Sequence, residues 1–185
     1  MHDPSTAVSP LDLGTLEPDG DRWRLVFVRR LPHPPEKVWR AITEPEHQAA
    51  WFPQRMDGER RAGATLRFDA GEEHEFTGTM VAFDPPSVME LTWGEDRLRF
   101  ELEPDPDPTN EGGTILRLAD TFTEIGKAAR DAAGWHECLD KLACDVAGER
   151  FPFEGFDRWK QVHPRYVEAL GPEGSTIGPP PGMLD

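Results

Sequence analysis

The architecture of this chain follows from AAGWHECLDKLA, residues 132–143. Apolar side chains recur through and around this stretch at alternating steps of four and three residues, which is typical of an amphipathic helix. The pattern predicts a helix over residues 127–147 with one apolar stripe. The stripe consists of Ala128, Ala132, Trp135, Leu139, Leu142 and Val146.

The residues before this helix have the two-residue alternation of β-strands, separated by residues that favour turns. The clearest case is RLRFELE, residues 97–103, in which Leu98, Phe100 and Leu102 share one face and charged residues share the other. One face of the sheet is therefore solvated, and the helix must cover the opposite face. We predict strands over residues 22–31, 65–69, 74–83, 88–93, 97–103 and 114–123.

Two helical turns follow the first strand, and another helix follows the long one. Pro34 and Pro35 suit the opening of a helix that should end near Thr43, and a second turn should run from Glu46 to Trp51. We predict four parts of the chain: a flexible N-terminal arm over 1–21, one domain over 22–148, a helical extension over 149–170, and a tail rich in proline and glycine over 171–185.

Charge and composition exclude several classes of protein. The formal net charge is -15, with 35 acidic and 20 basic side chains, so the chain should repel nucleic acid and anionic membranes. The sequence shows no apolar run long enough to span a bilayer and no signal peptide, which predicts a cytoplasmic protein. Cys138 and Cys144 lie about 9 Å apart along one predicted helix, too far for a disulfide.

Several segments, in this order, resemble one family. They are VFVRRL, PPEKVWRAIT with Pro45 and the pair Trp51 and Phe52, RAGATLRF, EFTGTMVAFDPP, LTW, LRFELE, GGTILRLADTF and GWHECLDKL. The chain resembles the activators of the heat-shock-protein ATPase, a branch of the superfamily that also contains START-like lipid-transfer domains and polyketide cyclases. The resemblance covers residues 22–148.

This resemblance implies an α+β helix-grip fold, in which a bent antiparallel sheet of about six strands grips the long C-terminal helix, often over an apolar cavity. The eukaryotic chaperone activators of this family carry a further N-terminal domain that makes much of their contact with the chaperone. Residues 1–21 cannot replace that domain.

The sequence predicts no catalytic residue, no metal ligand and no cofactor. HECLD, residues 136–140, resembles the zinc motif HExxH but ends in aspartate. His136 and Asp140 share one helix face, and we interpret them as a hydrogen-bonded pair at the surface, the alternative being a polar group at the cavity. Both cysteines lack a neighbouring base and are interpreted as packing residues.

Aromatic and methionine side chains are numerous enough to line a ligand cavity. The favoured hypothesis is a protein that binds a small hydrophobic or aromatic molecule between the sheet and the long helix. A cyclase-like enzyme that uses the same cavity and a protein that interacts with a chaperone are the alternatives, and a homodimer is left open. The predicted ligand-binding residues are Trp51, Phe68, Phe76, Met80, Met89, Trp93, Phe100, Trp135, His136 and Leu139.

Overall fold

The computed structural model describes residues 12–69, 71, 75–179 and 183. Eight strands and four α-helices make up these residues. In chain order they are β1 (Thr15–Asp19), β2 (Arg22–Leu31), α1 (Pro35–Thr43), α2 (Pro45–Gln48), β3 (Arg55–Asp57), β4 (Thr65–Asp69), β5 (Glu75–Asp84), β6 (Val88–Trp93), β7 (Asp96–Pro104), β8 (Thr114–Phe122), α3 (Ala128–Ala147) and α4 (Asp157–Leu170). Short 3-10 helices occupy Pro108–Asn110, Ile125–Lys127 and Glu173–Ser175.

The strands form one antiparallel sheet in the order β1-β2-β8-β7-β6-β5-β4-β3. In β7 the side chains of Leu98, Phe100 and Leu102 are buried, so the predicted alternation is confirmed. In β8 the inward positions include Leu118, Asp120 and Phe122. An aspartate therefore occupies a place in the core-facing register where leucine or phenylalanine is expected.

Helix α3 covers the inner face of this sheet, as the apolar stripe predicts. The stripe residues Trp135, Leu139 and Leu142 are buried in one core with the inward residues of the strands. The helix ends at Gly148, whose φ of 70° is left-handed backbone that a glycine adopts without strain. The α+β helix-grip fold is confirmed.

The sequence predicted about six strands, and the structure has eight. The additional β3 spans only three residues, too few for a periodic signal. The additional β1 lies within the predicted flexible arm, where Thr15–Asp19 pairs with β2. The arm prediction is therefore wrong for residues 12–21, because backbone pairing with β2 orders a segment whose composition is that of a coil. Residues 1–11 of the predicted arm lie outside the described residues, as does His74 in the predicted third strand.

Helix α4 packs against α3 and is the main element of the predicted extension. Trp159, Val162 and Tyr166 are its buried apolar side chains, at the spacing of one helical face. The first residues of the tail fold back, since the backbone N–H of Ile177 donates to the carbonyl oxygen of Gly126. Within the described ranges, none of the helices combines the length and apolar content that crossing a membrane requires.

Candidate functional site

An open cleft of about 490 Å³ lies beside α3. Its walls come from the segment after α2, the end of β6, one side of α3 and the start of α4. Volumes of this size are typical of sites for small organic molecules. The aromatic part of the wall consists of Trp51, Phe52, Trp93, Trp135, Phe156 and Trp159.

The indole N–H groups of the four tryptophans all donate to acceptors within the protein. With these donors already used, a ligand gains no hydrogen bond from the tryptophans. Trp93 is the most exposed of the four, because the other three are buried. The acceptors are the carbonyl oxygen of Ala41 for Trp51 at 2.9 Å, Oε1 of Gln54 for Trp93 at 2.8 Å, Oδ2 of Asp120 for Trp135 at 2.8 Å, and the carbonyl oxygen of Arg130 for Trp159 at 3.2 Å.

The charged groups of the cleft wall are paired with one another. The guanidinium of Arg130 donates to Asp131 at 2.7 Å, and the ammonium of Lys141 donates to Glu137. The other carboxylate oxygen of Glu137 accepts the backbone N–H of Trp159 at 3.0 Å. The wall therefore has two acidic and two basic side chains, and the sum of their charges is zero.

Three of the ten predicted ligand-binding residues, Trp51, Trp93 and Trp135, reach the cleft. Trp93 and Trp135 are in contact, with ring centroids 5.4 Å apart. The other predicted apolar residues lie in the core behind the cleft, where the rings of Phe68 and Phe76 stack at 5.0 Å. The rest of that group is Met80, Met89, Phe100 and Leu139, all of them buried.

His136 is not at the surface, so the favoured interpretation of His136 and Asp140 is wrong. His136 is 0% exposed, and its Nε2 accepts from the Arg158 guanidinium at 3.1 Å. The opposite ring nitrogen, Nδ1, then carries the proton and donates to the Tyr166 hydroxyl at 2.9 Å. Asp140 accepts from Nε of Arg158 at 2.7 Å. Both residues fix α4 to α3, a partnership with a later helix that the spacing inside α3 cannot reveal.

The pKa of His136 is lowered to about 3, first by burial and then by the positive charges of Arg29 and Arg158. The imidazole is therefore neutral at physiological pH. A neutral imidazole held by Arg158 and Tyr166 has neither a free position for a metal nor a charge to offer a ligand. His136 thus belongs to the contact between helices and does not line the cleft.

Asp120 is the polar group of this region that the sequence analysis missed. Its Oδ2 accepts the indole N–H of Trp135, while Oδ1 is buried and has no hydrogen-bond partner among the described residues. Burial, followed by the nearby charge of Asp96, raises the pKa of Asp120 to about 7. The available signal was its inward register in TILRLADTF, where it follows Leu116 and Leu118 at two-residue steps.

Phe52, Phe156 and Trp159 are cleft residues that the prediction also lacked. Phe52 stands next to the predicted Trp51, and its ring lies 5.8 Å from that of Trp135. Trp159 belongs to the apolar face of α4, which the periodicity did reveal. The periodicity does not indicate which surface that face contacts.

Comparisons with known proteins agree with this architecture. A model of the family described as "Activator of Hsp90 ATPase homolog 1-like protein" matches residues 32–145. Among solved structures, a conserved protein of unknown function, EF2215 from Enterococcus faecalis, aligns with a TM-score of 0.70 and 22% identity over 85% of this chain and 90% of its own.

A second solved structure, CalU16 from Micromonospora echinospora, aligns with a TM-score of 0.65 and 21% identity over 80% of this chain and 89% of its own. At such identities these likenesses show the fold alone. A search of curated proteins finds no match. The family model spans more than half of the chain, and the protein therefore belongs to the family of Activator of Hsp90 ATPase homolog 1-like proteins.

Proposed function

We propose that this protein binds a small, neutral, apolar or aromatic molecule in the cleft beside α3. The observation that carries the proposal is the aromatic wall whose four indole N–H groups already have acceptors. Such a wall favours apolar contact, chiefly with the exposed Phe156 and the half-buried Trp93, and it offers little to a ligand that depends on hydrogen bonds. The paired charges of Arg130 with Asp131 and of Lys141 with Glu137 favour a ligand without net charge.

The expected affinity is moderate. A ligand that buries about 150 Å² of apolar surface gains about 4 kcal/mol at roughly 25 cal/mol per Å². Immobilising the ligand opposes part of this gain, so tight binding requires a molecule with more than one ring. We therefore expect a ligand that spans the wall from Trp93 to Trp159.

The first experiment is native mass spectrometry of the protein as purified, followed by titration with the neutral fluorophore N-phenyl-1-naphthylamine. We expect a fluorescence increase that saturates at one equivalent. Phe156 is 49% exposed on the cleft wall, so Phe156→Ala should preserve the fold and weaken probe binding about tenfold.

Val81→Ala is the matched control, because Val81 is 39% exposed on β5 and is not part of the cleft wall. Equal probe affinity in the two variants would contradict the proposal. An unsaturable signal in the unmodified protein would contradict it as well.

The family description supplies a second candidate, stimulation of a chaperone ATPase by direct contact. Purified chaperone with and without this protein would be compared for its ATP turnover. Stimulation that survives Phe156→Ala would favour this role over the cleft, and unchanged turnover would favour ligand binding. Either role suits the cytoplasmic location that the sequence predicts.

A further inference from the structure

Three aspartates from separate elements converge beneath the N-terminal end of α3. They are Asp96 at the start of β7, Asp120 in β8 and Asp131 in the first turn of α3. One carboxylate oxygen from each lies within 4.8 Å of the other two. We call these three residues with Lys127 the acidic centre. Carboxylates approach this closely only when a cation or a proton offsets their repulsion.

The cation already present does not satisfy the centre. The Lys127 ammonium contacts Asp96 and, at 3.3 Å, Asp131. Asp131 also accepts from Arg130. Asp120 contacts neither base: its Oδ2 is bound by Trp135, and its fully buried Oδ1 has no partner in the described part of the chain. A buried carboxylate oxygen left without a partner is strongly unfavourable, so this oxygen requires either a proton or a further cation.

The spacing of the oxygens suits a metal ion. One oxygen of each aspartate lies within 4.8 Å of the other two, so a single cation between them can approach all three at distances near the roughly 2.3 to 2.6 Å of calcium–oxygen contacts. Carboxylates are the ligands that Ca²⁺, Mg²⁺ and Mn²⁺ prefer. We propose that Asp96, Asp120 and Asp131 form a site for a divalent cation of this class, and that Lys127 is the counter-ion which the cation displaces.

The Lys127 ammonium can be displaced toward solvent by an entering cation. Its side chain is 16% exposed and so has a path to solvent, and it precedes α3 as the N-cap residue. Asp131 is also partly exposed, at 15%, so an ion can enter from this side and keep water as its remaining ligands.

A bound metal ion would affect the cleft through two of its ligands. Asp131 belongs to the cleft wall, and Asp120 holds the indole of Trp135 in that wall. An ion would fix both side chains and thereby the shape of the aromatic surface. The proposal does not depend on the cleft having a ligand, since the ion is tested by itself.

The test is a titration of the chelator-treated full chain with Ca²⁺ and with Mn²⁺ by calorimetry, together with Tb³⁺ luminescence excited through tryptophan. We expect one site, with sensitised Tb³⁺ emission because Trp135 contacts Asp120. Asp120→Asn should weaken binding at least about tenfold, since it removes a charged ligand but keeps an acceptor for the indole.

Lys127→Gln should do the reverse and tighten binding at least about tenfold, because it removes the competing ammonium. Asp145→Asn, on the same helix but outside the acidic centre, is the matched control and should leave the affinity unchanged. If Asp120→Asn does not fold, Asp131→Asn tests the same ligand set. The proposal is overturned if no ion binds at millimolar concentration, or if Asp120→Asn and Lys127→Gln both bind as the unmodified chain does.

Discussion

Helix α3 separates two buried polar centres of opposite charge. On one side lies the acidic centre, where three carboxylates outnumber Lys127 and one buried oxygen has no hydrogen-bond partner within the described part of the chain. On the other side lies what we call the basic centre, defined by Arg29, His136, Asp140, Arg158 and Tyr166, in which two guanidiniums face one carboxylate. His136, Asp140, Arg158 and Tyr166 are joined by hydrogen bonds.

The difference shows that buried polar side chains on a single helix can have two different roles. In the basic centre, the hydrogen bonds of Arg158 to Asp140 and His136 connect α4 to α3, which is how a polar contact fixes the position of an element. Nε and Nη2 of Arg29 have no hydrogen-bond partner among the described residues, but Arg29 does not line the cleft. The acidic centre is incomplete and adjoins an open cleft, which is typical of a place where something binds. Removing a partner should therefore damage the basic centre more than the acidic one.

The largest expected effect is in the basic centre. Arg158→Ala leaves Asp140 buried without its ion-pair partner and removes the donor to His136. We expect the free energy of unfolding to fall by about 3 to 5 kcal/mol, as is usual when one member of a buried pair is deleted. Urea denaturation followed by tryptophan fluorescence measures the change.

Lys160→Ala is the control for this prediction, because Lys160 is exposed on the same helix. It should alter the free energy of unfolding by no more than about 0.5 kcal/mol. A loss of similar size in both variants would show that the basic centre does not anchor α4.

The second largest expected effect is a difference between the two centres in how they make the free energy of unfolding depend on pH. Burial raises the pKa of Asp120 from 3.8 to about 7, so the folded state holds this proton more tightly than the unfolded state does. Stability therefore falls as pH rises from about 4 to 7. His136 behaves in the opposite way: burial lowers its pKa from 6.5 to about 3, and stability falls as pH drops through that window.

Asp120→Asn and His136→Asn should each remove one of these two pH dependences. At about 1.4 kcal/mol per pKa unit, each dependence changes the free energy of unfolding by up to about 4 kcal/mol across its pH window. Relative to the unmodified protein, Asp120→Asn should gain stability with rising pH and His136→Asn with falling pH. Denaturation curves between pH 4 and 7 in the presence of a chelator test both. Parallel profiles for the two variants would refute the assignment of the slopes.

The sequence could predict what depends on local periodicity. The stripe of α3, the alternation of β7 and the cleft residues Trp93 and Trp135 belong to this class, because each follows from spacing within one element. The family resemblance supplied the order of the elements and the grip of the sheet on α3. The difference between the two centres could not be predicted from the sequence, since it depends on contacts between elements that are far apart in the chain.

Two cases show why those contacts stayed hidden. Asp120 lies near Asp96 only because Leu98 pairs with Asp120 in the sheet. That register cannot be predicted from the sequence of either strand alone. His136 is buried only because α4 returns with Arg158 at the correct turn. A polar residue beside an apolar stripe has the same appearance in sequence whether solvent or another helix covers it.

The smallest effect compares two indoles of the cleft wall, of which that of Trp135 is bound to the acidic centre and that of Trp159 is bound to a backbone carbonyl. Trp135→Phe removes the hydrogen bond to Asp120, and Trp159→Phe removes the one to the backbone carbonyl of Arg130. Bonds to a charged acceptor contribute about 1.5 to 3 kcal/mol and neutral ones about 0.5 to 1.5. Above pH 7, where Asp120 is ionised, Trp135→Phe should therefore be the more destabilising variant by about 1 kcal/mol.

The same comparison in an Asp120→Asn background isolates the role of the charge. With a neutral amide as acceptor, Trp135→Phe should be no more destabilising than Trp159→Phe, because both bonds are then between neutral groups. Thermal and urea unfolding at pH 8 of the unmodified protein, the three single variants and the two double variants complete the cycle. If the loss from Trp135→Phe is unchanged by Asp120→Asn, then ring volume alone accounts for it, and Asp120 does not hold the indole through its charge.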